Sequence, residues 1–77
     1  MDINMVDVTI HIDESLNHDK RESLVETLRM HEGVISVGHH DEKPHLLMIE
    51  YNPDQTSSKV LLERVKSAGI HAELVGL

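Results

Sequence analysis

Residues 6–40 read VDVTIHIDESLNHDKRESLVETLRMHEGVISVGHH, and the change of period along this stretch decides the fold. Val6, Val8, Ile10 and Ile12 alternate with Asp7, Thr9 and His11. That two-residue repeat belongs to a half-buried strand. The repeat then lengthens. Leu24 and Leu28, with Val25 or His31, fall on one face at a three-to-four spacing and predict a helix running to about Glu32. Ser15, Asn17 and Asp19 are the candidate caps at its start, and Gly33 is the expected stop. Val34 to His40 returns to a strand, with Ile35, Val37 and His39 on one side.

Beyond residue 40 the same alternation of signals continues. Asp41-Glu42-Lys43-Pro44 turns the chain, and Pro44 cannot donate to a ladder. Leu46 to Tyr51 is a third strand, with Leu47, Ile49 and Tyr51 on one face and Leu46, Met48 and Glu50 on the other. Asn52-Pro53-Asp54 is a turn. Thr56 or Ser57 caps a second helix whose apolar stripe is Leu61, Val65 and Ala68, closed by Gly69. Ile70, Ala72 and Leu74 then alternate with His71, Glu73 and Val75. The order β-α-β-β-α-β predicts an α+β fold, the ferredoxin-like two-layer sandwich. Its antiparallel sheet carries both helices on one face, and right-handed crossovers set the strand order 4-1-3-2. Residues 1–77 read as a single domain of this type.

Composition narrows the function. Seven Lys and Arg stand against 14 Asp and Glu, a formal charge of -7, which repels nucleic acid and anionic lipid. One Tyr, no Phe and no Trp leave no platform for base stacking. No segment approaches the ~20 apolar residues of a membrane span, and MDINMVDV has no signal-peptide pattern. The expected location is the cytoplasm. With no cysteine there is no disulfide, thiolate ligand or Cys nucleophile. No nucleophile elbow, phosphate loop or dinucleotide fingerprint appears, so an enzyme is not expected.

Several stretches together resemble the heavy-metal-associated domain, a family of soluble copper chaperones and N-terminal modules of metal-pumping ATPases. Leu24 through Glu32-Gly33-Val34, then Val37, fits the family spacing V-E-x-x-L…G-V-x-x-V. Tyr51-Asn52-Pro53 fits Y-D-P, and Ser57, Leu61, Val65 and Ala68-Gly69-Ile70 fit S…L…I…A-G-Y. The resemblance implies the ferredoxin-like fold and a metal loop between the first strand and the first helix. Members hold a soft metal there through G-M-x-C-x-x-C. Glu14, Ser15, Leu16, Asn17, His18, Asp19 and Lys20 occupy those positions, so Asn17 and Lys20 replace both cysteines. Soft Cu(I) wants thiolate or thioether, and an ammonium repels a cation. The two-thiolate site cannot form, and Asn17 and Lys20 are expected to be bystanders to any metal.

The histidines are the unusual feature, seven in 77 residues. The topology sends His11, His18, His39, His40, His45 and His71 to one end of the sandwich, the end where the family binds metal, and His31 to the other. His11 and His71 are expected as a cross-strand pair, with Cβ atoms ~5 Å apart. Imidazoles at these six positions suit Zn²⁺, Ni²⁺ or Cu²⁺, with Asp13, Asp19, Asp41 and Glu42 as carboxylate donors. The competing reading is solvated or structural histidines, with His39 on the core-facing side of an edge strand.

The helix-free sheet face offers a different function. Leu46 and Met48 on a central strand, with Met5 and Val75, are candidates for an apolar contact patch that meets a partner protein or a second copy of the chain. The leading expectation is therefore a heavy-metal-associated-like domain without its thiolate site, acting as a protein-interaction or accessory module. The alternative is His-based binding of a divalent transition metal in metal transport or sensing.

Overall fold

The computed structural model describes residues 4–75. Its elements are β1 (Val6–Ile12), α1 (His18–Arg29), β2 (Val34–His40), β3 (Lys43–Tyr51), α2 (Ser58–Lys66) and β4 (Ala72–Val75). The strands form one antiparallel sheet in the order β2-β3-β1-β4, the expected arrangement counted from the other edge. The core lies between the sheet and the helices. Ile10, Ile12, Leu47 and Ile49 from the sheet meet Val25 and Leu28 of α1 and Leu61 and Val65 of α2, all fully buried. Each such side chain contributes roughly 1.5–3 kcal/mol of apolar burial. With no Phe or Trp in the chain, aliphatic side chains supply nearly all of it.

Both helices begin on side-chain caps. The Asn17 side chain accepts from the Lys20 amide at 2.8 Å, and Ser57 Oγ accepts from the Val60 amide at 3.2 Å. Each cap satisfies an amide that has no partner within its helix. The first helix ends at Arg29, about a turn earlier than its pattern suggests, so the choice between Val25 and His31 on its buried face falls to Val25. Gly33 then serves the connection rather than the helix. Its φ is +91°, and an added Cβ would sit 2.9 Å from Gln55 Cβ, while its carbonyl accepts from the Asn52 amide at 2.8 Å.

Two irregularities correct the sequence reading of β2 and β3. Val34 pairs with Tyr51 and Ser36 with Glu50, which leaves Ile35 as an extra residue in a bulge. Ile35 therefore points outward, half exposed, and Val34 takes the inward position beside Val37 and His39. At the far end, His40 pairs with Lys43 across a turn made by Asp41 and Glu42 alone. The third strand thus starts at Lys43, before Pro44, and the register jump places Pro44, His45 and Leu46 opposite no residue of β2.

Candidate functional site

The segment between β1 and α1 is where the sequence resemblance locates a metal loop. Here it is a helix start. Asn17 Oδ1 is committed to the Lys20 amide, and Lys20 carries its ammonium into the first turn. Glu14, Ser15, Leu16, Asn17 and Lys20 line one wall of an open groove of about 640 Å³. Ser23, Leu24 and Thr27 of α1 and Ala68, Gly69 and Ile70 from the α2–β4 connection line the rest. The groove is more apolar than polar and carries no imidazole.

The histidines gather beside this loop in two groups. The first forms where β1 ends and β4 begins. His11 Nδ1 lies 3.2 Å from Asp13 Oδ1 and 3.1 Å from Glu73 Oε1. The three ligand atoms all lie within 4.8 Å of one another. The His45 ring stacks on that of His11, with centroids 5.7 Å apart and planes inclined by 16°. His45 Nδ1 donates to the Ile12 carbonyl at 2.7 Å. A carbonyl can only accept, so His45 Nδ1 carries a proton and, in the neutral ring, Nε2 is the atom with the lone pair. His71 stands a step further along. Its amide donates to the Glu14 carboxylate, its Nδ1 is 3.3 Å from Glu14 Oε1, and its carbonyl accepts from the Asp13 amide.

The expected His11–His71 pair is corrected here. The β1–β4 register places Glu73, not His71, opposite His11, and His71 falls level with Asp13. The topology brings both histidines to one end, but the register separates them by two residues.

The second group ties α1 to the β2–β3 turn. Arg21 is buried, with a side chain only 5% exposed, and forms a close ion pair with Asp41. Arg21 Nε donates to His39 Nδ1 at 3.3 Å, and His39 Nε2 lies 2.8 Å from Glu22 Oε1. Arginine can only donate, so His39 Nδ1 is the acceptor and Nε2 carries the proton toward Glu22. His18 adds contacts of 3.3 Å to Asp41 and 3.9 Å to Glu22. The hydrogen bond from His18 holds the Asp41 carboxyl below its ordinary range. Burial pushes the other way, and the charge of the Arg21 guanidinium assists the lowering.

Of the six candidate ligands, the structure therefore gathers His11 and His45, joins His18 to His39, pairs His71 with Glu14, and leaves His40 exposed at the hairpin. Asp13 and Asp41 sit among them, whereas Asp19 and Glu42 make no ion pair among the described residues. Sequence reasoning missed Glu14, Glu22, Glu73 and Arg21. The His18–Glu22 spacing of four within a helix was a usable signal for one of them. The other contacts depend on register and on the approach of the hairpin to α1.

On the helix-free face, Met48 and Val75 flank Thr9 in one cross-strand row, and Leu46 lies opposite His11 in the next. Met48 and Val75 are 46% and 42% exposed, and Leu46 is partly buried. Met5 precedes β1 and is separated from them by the row of Asp7, Glu50 and Ser36. The four candidate contact residues thus divide into a small Leu46–Met48–Val75 patch and an isolated Met5.

No family model matches the sequence, and no curated protein does. Solved structures do match in fold. A copper-binding domain from HMA7, a P-type ATPase, superposes with a TM-score of 0.82 at 14% identity, over 91% of this chain and 93% of that one. Oxidized MerP from Ralstonia metallidurans CH34 gives 0.83 at 17% identity, over 94% and 99%. The N-terminal domain of a potential copper-translocating P-type ATPase from Bacillus subtilis, in its Cu(I)-loaded state, gives 0.82 at 22% identity, over 94% and 89%. At these identities the likeness is one of fold. The chain has the ferredoxin-like fold of heavy-metal-associated domains and carries no cysteine.

Proposed function

We propose that this domain binds a divalent transition-metal ion through imidazole and carboxylate, in place of a soft ion held by thiolates. The observation that carries the reading is the assembly of histidines against acids. His11, His18, His39 and His71 come from four separate segments, and each meets a carboxylate within 3.3 Å. The fold supports the same direction, since structural neighbours include copper-binding domains of P-type ATPases. Nitrogen and oxygen donors suit Zn²⁺, Ni²⁺ and Cu²⁺ and serve Cu(I) poorly. The role is binding rather than catalysis. Titration with each of the three ions, followed by the melting temperature, tests it. An ion that binds the native state raises that temperature as its concentration passes the dissociation constant. No rise with any of the three overturns the reading.

A second reading is favoured by the apolar groove beside the altered loop and by the Leu46–Met48–Val75 patch. In it, the domain docks on a protein, either a second copy or a transporter of the kind from which two of its structural neighbours come. Light scattering of the wild type against a Leu46→Glu/Met48→Glu variant distinguishes the two surfaces. A dimer dissolved by the substitutions assigns the contact to the sheet face. A dimer that survives them removes that face from consideration.

A further inference from the structure

We infer that the two histidine groups are not equivalent, and that the metal is held by His11, Asp13 and Glu73 at the β1–β4 edge. This assignment rests on the metal reading above and makes it specific. The difference between the groups is a cation. In the α1–hairpin group the Arg21 guanidinium already neutralises Asp41 and donates to His39. Both ring nitrogens of His39 are thereby occupied, one accepting from Arg21 and the other donating to Glu22. An incoming divalent ion would meet a fixed positive charge there and find no free lone pair on that ring.

The β1–β4 edge is the reverse case. Asp13 and Glu73 converge on one imidazole nitrogen, and neither makes an ion pair with Lys or Arg among the described residues. A single Nδ1 proton cannot serve both carboxylates at full strength. A divalent ion in its place neutralises both. Ligand bonds of ~2.1 Å in a tetrahedral site put neighbouring donor atoms ~3.4 Å apart. The two distances from His11 Nδ1 are 3.2 and 3.1 Å, so each carboxylate already stands close to ligand spacing from the imidazole, and all three donors lie within 4.8 Å of one another. On binding, the His11 proton moves to Nε2 and the Nδ1 lone pair goes to the metal. If the ring is cationic at the outset, one proton is released to solvent.

His45 supplies an independent observation. Its Nδ1–H bond to a backbone carbonyl is the outer contact that metal-bound histidines commonly make, and it leaves Nε2 as the basic atom. The ring lies stacked against that of His11. The side chains of His11, Asp13 and Glu73 are 40%, 51% and 56% exposed, so water completes the coordination shell.

The test is calorimetric titration of Zn²⁺ into the wild type, a His11→Ala variant, a Glu73→Gln variant and a His18→Gln/His39→Gln variant. Imidazole nitrogen NMR is recorded on the wild type with and without Zn²⁺. The expected result is one ion per chain, with affinity reduced by at least about tenfold in His11→Ala and in Glu73→Gln. It remains within about twofold in the His18/His39 variant, and the His11 Nδ1 resonance takes the chemical shift of a metal-bound nitrogen. Glu73→Gln preserves shape at an exposed position, so a loss there reports the carboxylate and not the fold. Binding that persists in the His11 and Glu73 variants but disappears in the His18/His39 variant overturns the assignment and leaves the metal reading standing. Absence of binding to the wild type overturns both.

Discussion

Arg21 is the one charged side chain in the interior among the described residues, and it shares the helical face of Leu24, Val25 and Leu28 by the three-to-four spacing. Its burial comes from the hairpin, which folds over and places Asp41 and His39 against it. The aliphatic stem covers apolar surface while the guanidinium reaches the two partners. Arg21→Ala is expected to lower stability by about 1–3 kcal/mol, because charged hydrogen bonds are lost and His39 Nδ1 is left without a donor. Chemical denaturation measures this, and hydrogen exchange should show the largest loss of protection around the β2–β3 turn. Asp41 adds a pH dependence whose sign follows from its lowered pKa. A carboxyl held below its ordinary value of 3.8 in the folded chain stabilises fully above that value. The contribution is lost as pH falls through the lower, folded one. Asp41→Asn should therefore show a smaller drop in denaturation midpoint than wild type between about pH 5 and about pH 2.5. An equal drop in both proteins would assign the acid sensitivity to other carboxylates.

At the scale of the elements, α1 shows what stands where the resembled family has its metal loop. Asn17 stands at a position where the resembled family has cysteine, and its side chain now holds the first turn of the helix. Asn17→Ala should cost about 1 kcal/mol, read as a shift in denaturation midpoint, while Asn17→Gly should cost only a few tenths. Paired Asn17→Cys and Lys20→Cys substitutions should confer Cu(I) binding absent from the wild type, measured by competition with a Cu(I) chelator. Element order and the sheet order were legible because each rests on local pattern or on handedness, and the caps Asn17 and Ser57 were legible only as members of short candidate sets. Ile35 was not, because a bulge is invisible to strict alternation: one extra residue reverses the face of everything on one side of it. The same limit governs the site. Topology alone carries His11, His45 and His71 to one end, yet the partner opposite His11 depends on a register that no residue of β4 announces. Glu73 stayed unnoticed because a two-residue offset exchanges it with His71.

For the molecule as a whole, charge is the controlling quantity. The formal charge is -7 with neutral histidines, and the ordinary value of a free imidazole is ~6.5. Protonating them all takes the formal charge to zero, and the sequence pI is about 5.3. Mutual repulsion between copies therefore falls steeply over a narrow interval of mild acidity. The helix-free face is where that loss has a local effect. Asp7, Glu50 and Glu73 surround Met48 and Val75, and His11 lies in the adjoining row. Near neutrality the acids keep two such faces apart. As the chain takes up protons and approaches its pI, the same surface presents exposed methionine and valine on a molecule of much lower net charge. Self-association is accordingly expected to strengthen below about pH 6, and light scattering should report a higher mean mass at about pH 5.5 than at about pH 8. Met48→Glu should suppress the increase by returning a negative charge to the row between Gly38 and Thr9. A mass that stays constant across that interval in the wild type would show that electrostatic repulsion is not what keeps the sheet face free. An increase that Met48→Glu leaves intact would locate the contact elsewhere, with the groove lined by Leu16, Leu24 and Ile70 the next surface to substitute.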